Sequence, residues 1–134
     1  MNREIEFRGQ KCSDGKWVYG YYVESKYSWK GHKPHKSWIV SDAISGGFFN
    51  ILGRYAVKDN TVGEFSGMKD KNGTKIFEGD IVRTNGCEEF FEVIYDAPDF
   101  CLKKNSSGYR FLNHPENFEV IGNIYENSAL LNKK

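Results

Sequence analysis

The sequence has few cysteines and no Cys-x-x-Cys motif. It contains 3 Cys among 134 residues, at Cys12, Cys87 and Cys101. Because three thiols cannot all pair within one chain, the count disfavours the disulfide framework of a small secreted protein. A sparse, odd count favours a reducing compartment, so we expect a cytoplasmic protein.

Long apolar runs are also absent. No stretch approaches the ~20 consecutive apolar residues that cross a bilayer, and the chain begins with polar and charged residues, Met-Asn-Arg-Glu-Ile-Glu-Phe-Arg. A signal peptide needs an apolar segment near the N-terminus. The sequence therefore predicts neither an export signal nor a membrane partner.

An excess of charge of one sign is missing as well. Lys and Arg total 19 and Asp and Glu total 18, for a net charge of +1. The overall charge gives no reason to expect a nucleic acid as partner, so any such site must be local. With 10 Phe and 3 Trp the chain can bury a core, and compositional disorder is excluded.

Motifs that carry catalysis or bind cofactors do not occur. There is no phosphate-binding Gly-x-x-x-x-Gly-Lys-Ser/Thr loop and no Gly-x-Ser-x-Gly. The histidines His32 and His35 stand far from His114, which is weak support for a zinc site. Glu88 and Glu89 are adjacent and would point to opposite faces of a strand. We therefore predict no enzyme, no cofactor and no metal; the nearest enzyme class would be a small-barrel ribonuclease.

Turn signals divide the first half into short strands. A β-hairpin is predicted between residues 7 and 23, around the turn residues Ser-Asp-Gly-Lys that begin at Ser13. Gly20 indicates a bend or a close approach of two backbones. In the second strand of the hairpin one face carries Trp17, Tyr19, Tyr21 and Val23. We expect this face to pack as core, and a base-stacking platform is the alternative.

The second half predicts a small SH3-like barrel of about five strands followed by a short C-terminal helix. On the last strand, Gly122 is expected to share a face with Phe118 and Val120 and to allow a bend. Asn127 is the expected N-cap of the helix. The domains would be 1–75 and 76–134, or a single integrated domain, in a mostly β (all-β) protein. The predicted strands are Asp80–Thr84, Glu89–Tyr95, Phe100–Lys104, Tyr109–Leu112 and Phe118–Tyr125.

A segment that we call the basic loop, residues 24–38, is the most suggestive for binding. After Glu24 it has lysines without an acidic residue, interleaved with aromatic rings. Lysines and rings together can hold single-stranded nucleic acid; alternatively, the loop is solvated and its tryptophans pack on the sheet or on a neighbouring subunit. The candidate residues for nucleic-acid or subunit contact are Lys26, Tyr27, Trp29, Lys30, Lys33, Lys36 and Trp38.

A second local feature is acidic. Between Gly86 and Phe100 there are five carboxylates and no basic residue: Glu88, Glu89, Glu92, Asp96 and Asp99. We expect a solvated hairpin here, and the alternative is a head-to-tail subunit contact with the basic loop.

Three motifs resemble those of the YopX family of phage and prophage proteins. The central one runs Phe65-Ser-Gly-Met-Lys-Asp-Lys-Asn-Gly-Thr-Lys-Ile-Phe-Glu-Gly-Asp-Ile-Val82, and the C-terminal one runs Val120-Ile-Gly-Asn-Ile-Tyr-Glu-Asn-Ser-Ala-Leu-Leu131. The hairpin sequence Ile5-Glu-Phe-Arg-Gly-Gln-Lys with Asp14-Gly-Lys-Trp-Val-Tyr-Gly-Tyr-Tyr22 is similar to the N-terminal one. Ser128, where members often have Pro, is a departure.

The resemblance implies a mostly β protein of bacteriophage or prophage origin that acts in a bacterial cytoplasm as a large homo-oligomer. It implies no catalytic or cofactor residues, so we interpret the central motif physically, with Asp80 accepting backbone hydrogen bonds where a strand begins. The expected role is a non-enzymatic oligomeric binding or scaffold protein. The alternative is an accessory protein that binds single-stranded nucleic acid.

Overall fold

The computed structural model describes residues 3–26, 31, 36–41, 53–84, 89–104, 109–111 and 114–132. Antiparallel strands dominate this part of the chain, which confirms the mostly β class. Three short 3-10 helices accompany them: Asp59–Thr61, Pro115–Asn117 and Ser128–Asn132. The strands are β1 Phe7–Gln10, β2 Trp17–Glu24, β3 Ser37–Ser41, β4 Gly53–Ala56, β5 Gly63–Lys69, β6 Lys75–Phe77, β7 Asp80–Thr84, β8 Phe90–Asp96, β9 Asp99–Lys103, β10 Tyr109–Phe111 and β11 Phe118–Asn123.

The chain forms two compact units. Residues 4–64 make the first unit, and residues 1–3 together with 65–134 make the second. The strand β5 begins in the first unit and continues into the second. The domain boundary that the sequence suggests, between residues 75 and 76, stays a prediction.

In the first unit the strands are hydrogen-bonded in the order β4-β3-β2-β1, and β1 also pairs with the start of β5. The predicted hairpin is confirmed. At its turn, the carboxylate of Asp14 accepts the backbone N–H of Lys16 at 2.9 Å, while Gly15 has φ of 75°, which glycine adopts without steric cost. Side chain and glycine together specify the turn locally.

The backbone pairing in this unit closes on itself. Beyond the ends of β1 and β4, Lys11 and Val57 form an antiparallel bridge, and the N–H of Cys12 donates to the carbonyl of Ala56 at 2.9 Å. The strands β1 to β4 therefore form a ring. A side chain at Gly9 would put its Cβ 2.9 Å from that of Val57, so glycine allows Val57 to be buried inside this ring.

The second unit contains a five-stranded antiparallel sheet in the order β10-β9-β8-β7-β11. The predicted and observed strands coincide closely, and β7 has the predicted bounds Asp80–Thr84. The SH3-like barrel stays a prediction. Beside the sheet, β5 pairs with β6 through Phe65 and Phe77. A cluster of buried apolar side chains forms the core: Ile76, Val82, Phe91, Val93, Leu102 and Phe118.

The C-terminal part differs from the prediction in two details. The pairing of β11 with β7 shifts register between Val120 and Gly122, which is a bulge. Because the bulge inserts one residue, Gly122 lies opposite Ile81 and no longer shares a face with Val120, so that face assignment was wrong. The helix is present as Ser128–Asn132. The side chain of Asn127, however, accepts the N–H of Asn123 at 3.1 Å and so points back to β11.

Candidate binding surface

Two acidic residues of the central motif are buried, and the first is Asp70, of which 6% is exposed. Its Oδ1 accepts the backbone N–H groups of Asn72 at 2.8 Å and Thr74 at 2.9 Å. Its Oδ2 accepts the N–H of Val120, 50 residues away, at 2.8 Å. The carboxylate thus fastens the turn before β6 to strand β11.

The second buried carboxylate belongs to Asp80, of which 2% is exposed. Its Oδ2 accepts the backbone N–H of Phe77 at 2.7 Å, as expected from the sequence. Next to it, Gly79 donates to Val93 at 2.8 Å and accepts from Ile124 at 2.9 Å. Both buried carboxylates of the motif therefore accept hydrogen bonds from backbone N–H groups in or next to the strands of the second unit.

We expect the substitution Asp80→Ala to lower the free energy of unfolding by about 1–3 kcal/mol, because it leaves a buried N–H without its acceptor. Urea denaturation followed by circular dichroism measures this loss. The matched control is Asp59→Ala, since Asp59 is exposed and surface changes usually stay within about 0.5 kcal/mol. An unchanged midpoint for Asp80→Ala would contradict the structural role and reopen a functional one.

Two other titratable groups in the second unit are perturbed. The hydrogen bond from Arg83, at 2.6 Å, lowers the pKa of the Glu119 carboxyl, and Lys71 at 3.6 Å adds to this effect. Burial raises the pKa of the Cys101 thiol, with the charges of Asp96 and Asp99 contributing. A thiol whose pKa is raised stays protonated and is a poor nucleophile. These shifts follow from ion pairing and burial within the sheet.

Among the described residues, no group of three or more His, Cys, Asp and Glu side chains could hold a metal ion. The same part of the chain has no helix long and apolar enough to cross a membrane. The histidines His32 and His35 and the residues Cys87 and Glu88 lie outside the described residues.

In the first unit, one face of β2 carries exposed rings. Tyr19 is 46% exposed, Tyr21 is 54% exposed and Val23 is 47% exposed. The expectation that this face packs as core was wrong for these three residues. The other face of β2 turns inward: Tyr22 pairs with Ile39, which is fully buried. The ring of strands can enclose only one face, so the opposite one is left to solvent.

The strand register places further residues beside these rings. Directly paired residues of antiparallel strands share a face, and the pairs are Tyr19 with Arg8, Val23 with Trp38, and Tyr21 with Val40, which in turn pairs with Arg54. We call this surface the aromatic face. It consists of Arg8, Gln10, Trp17, Tyr19, Tyr21, Val23, Trp38, Val40, Arg54 and Ala56.

The basic loop meets the aromatic face at Trp38. Lys26 and Lys36 are exposed, and the Lys36 ammonium lies 3.9 Å from the Glu24 carboxylate. Trp38 is half-buried in β3. The other candidates of the loop lie outside the described residues: Tyr27, Trp29, Lys30 and Lys33.

Sequence reasoning missed the two arginines of the aromatic face. The guanidinium carbon of Arg8 lies 4.6 Å from the centre of the Trp17 ring, and Arg54 is exposed on β4. Neither arginine belongs to β2, so the alternation of residues along that strand could not assign it to the aromatic face. Only the pairing across strands brings them together.

Comparison with known proteins gives a structural relative and a family. The crystal structure of protein EF1440 from Enterococcus faecalis matches with a TM-score of 0.59 and 20% identity, over 97% of this chain and 99% of that one. At this identity the likeness supports the fold alone. No curated protein matches the chain. The model of the YopX protein family matches residues 6–132, nearly the whole length, and the chain therefore belongs to the YopX family.

Proposed function

We propose that the chain is a non-enzymatic binding protein of a bacteriophage or prophage, and that it works as a homo-oligomer in the cytoplasm of the bacterial host. The observation that carries this proposal is the apolar surface that the protomer leaves in solvent. Tyr and other large apolar side chains are enriched at subunit interfaces. In the second unit, Tyr95 is such an exposed side chain, with 49% of it accessible to solvent.

The placement of the carboxylates supports a non-enzymatic role. Asp70 and Asp80 are the buried acids of the motif, and both accept backbone N–H groups. A general base needs to reach a proton of a substrate, whereas both oxygens of Asp70 and Oδ2 of Asp80 accept backbone N–H groups. Glu119 is likewise engaged with Arg83.

For the subunit contact we propose the end of the β8–β9 hairpin in the second unit. There Tyr95 is 49% exposed, with its ring 5.1 Å from that of Phe100. The exposed carboxylates Asp96 and Asp99 form the last pair of the hairpin. A ring flanked by acids suits a basic surface on the next protomer, so this contact would be head-to-tail.

We expect light scattering after size exclusion, at tens of micromolar protein, to give a molar mass that is a multiple of 15.4 kDa. Tyr95→Ser should shift the protein toward smaller species, because the interface loses its apolar centre. The matched control is Tyr55→Ser, another exposed tyrosine, which should keep the wild-type mass. A wild-type mass near that of the protomer would refute the oligomer, and an unaffected Tyr95→Ser oligomer would move the interface elsewhere.

Binding of single-stranded nucleic acid is the second candidate function. The pairing of Val23 with Trp38 favours it, because this pairing joins the end of the basic loop to the exposed rings of β2. Exposed Lys26 and Lys36 add positive charge nearby. Cations near rings are the composition of sequence-tolerant sites for single strands.

For this candidate we expect steeply salt-dependent binding to a single strand. Each lysine that contacts a phosphate should change the slope of log affinity against log salt concentration by about 0.7. The reagent is a variant in which Lys26, Lys30, Lys33 and Lys36 are all replaced by Ser, measured by fluorescence anisotropy. Equal affinity and an equal slope for this variant and the wild type would exclude the basic loop as a nucleic-acid site.

A further inference from the structure

The distance between the exposed tyrosines on β2 is compatible with the stacking of nucleic-acid bases. Tyr19 and Tyr21 are successive residues of one strand face, so their Cα atoms lie about 6.8 Å apart. This is twice the rise of about 3.4 Å between stacked bases. A separation of two stacking rises leaves room for one base between the two rings.

The charges of the aromatic face have one sign. At the paired positions of β1 to β4, this face carries Arg8 and Arg54 and no Asp or Glu. The acid of β2, Glu24, pairs with Ser37 and belongs to the opposite face. Arg54 is exposed, whereas Arg8 is only 6% exposed and stacks on Trp17, so Arg54 rather than Arg8 can reach a phosphate. A surface with rings and only positive charge complements a polyanion that has aromatic bases.

The same charges disfavour a second copy of this face as the occupant. In a two-fold symmetric contact a surface meets itself, so the exposed Arg54 of one protomer would lie in the same contact as Arg54 of the other. Like charges brought together in an interface are unfavourable. A nucleic acid instead supplies the opposite charge.

We propose that the aromatic face holds single-stranded nucleic acid, with bases stacked on Tyr19 and Tyr21 and a phosphate against the guanidinium of Arg54. This inference rests on the second candidate function and names the surface that contacts the bases. The lysines of the basic loop then attract the strand, whereas the tyrosines distinguish a strand with bases from a bare chain of phosphates.

The test compares labelled strands of about 15 nucleotides by fluorescence anisotropy: oligothymidylate, oligouridylate and an abasic deoxyribose-phosphate strand of equal length. The wild type should bind both base-containing strands more tightly than the abasic one, and the ratio of these two affinities reports stacking. The oligouridylate arm shows whether the face takes RNA as well as DNA. Tyr19→Ser with Tyr21→Ser should lose at least about tenfold in affinity for each ring and bind all three strands alike.

Three variants make the result specific. Tyr19→Phe with Tyr21→Phe keeps both rings and should keep the preference for bases. Tyr55→Ser changes an exposed tyrosine next to Arg54 on the other face of β4, and should bind as the wild type does. Arg54→Gln should reduce the salt slope by about 0.7 while leaving the preference for bases intact. Circular dichroism and the molar mass of each variant confirm that fold and assembly are retained.

Three outcomes would overturn the inference. If the double serine variant keeps the preference for bases while the four-lysine variant loses affinity, nucleic acid binds at the basic loop and the aromatic face is not the site. If the double serine variant changes only the molar mass, the face is a subunit interface. If the wild type binds none of the strands at low salt, this inference and the second candidate function both fail, while the oligomer is judged separately by its mass.

Discussion

Replacement of Gly20 by Ala is expected to destabilise the first unit by about 3 kcal/mol or more. A Cβ at this position would collide with the backbone carbonyl oxygen of Val40, on the neighbouring strand β3. Backbone atoms of a paired strand cannot move aside as the end of a flexible side chain can. The substitution must therefore separate β2 from β3 and open the ring of strands.

Tryptophan fluorescence can follow this unit alone, because Trp17, Trp29 and Trp38 all lie within residues 4–64. Urea denaturation monitored in this way should show a lower midpoint for Gly20→Ala. The control is Gly15→Ala in the hairpin turn, where no atom lies within 4 Å of the added Cβ and only the φ of 75° is unfavourable. Its expected cost is about 1 kcal/mol. Similar losses for the two variants would show that the contact with Val40 is not decisive.

The second large effect is expected for Asp70→Ala, which should lower the stability of the second unit by about 2–4 kcal/mol. The substitution removes the acceptor of three backbone N–H groups, from Asn72, Thr74 and Val120. The first two donors keep partial access to water because their residues are exposed, so the loss is smaller than for three fully buried bonds.

The isosteric variant Asp70→Asn separates the two oxygens. An amide retains one acceptor, which can serve Asn72 and Thr74, but its NH₂ group cannot accept from Val120. Its stability, followed by far-ultraviolet circular dichroism in urea, should lie between that of Asp70→Ala and the wild type. If Asp70→Ala unfolds at the wild-type midpoint, the carboxylate does not fasten the turn to β11.

Much of the local structure could be predicted because its causes are local. Asp14 and Gly15 make their turn with partners fewer than five residues away, and Gly73 does so after Asn72, with φ of 82°. Turn residues at such spacing limit the strands between them. The hairpin and the bounds of β7 therefore follow from short stretches of sequence. Gly20 indicates a close backbone approach, but its partner Val40 lies on β3 and only the strand pairing identifies it.

The role of Asp70 could be predicted only in part. An Asp two residues before an amide donor indicates a local side-chain turn, and the bond to Asn72 is of this kind. The hydrogen bond from Val120 joins residues 50 positions apart, and no pattern in the sequence predicts it. The local spacing accounts for the turn, whereas only the structure gives Asp70 its second partner on β11.

The aromatic face shows most clearly where prediction from the sequence ends. The alternation of residues along β2 by itself determined that Trp17, Tyr19, Tyr21 and Val23 share one side, because successive side chains of a strand point in opposite directions. Which side meets solvent is not a property of the strand. The tertiary structure decided it through the bridge between Lys11 and Val57, which closes the ring of strands around the opposite side.

The family and the arginines of the aromatic face show the same difference between what the sequence determines and what the tertiary structure determines. The sequence by itself determined membership of the YopX family and the mostly β class. Contiguous motifs indicate the family, and short runs between turn residues indicate the strands. Only the tertiary structure placed Arg8 and Arg54 on one face with Tyr21. The pairing of β1 with β2 places Arg8 there, and the pairing of β4 with β3 places Arg54 there. Strand pairing joins residues far apart in sequence, and it depends on the free energy of the whole ring and not on any one segment.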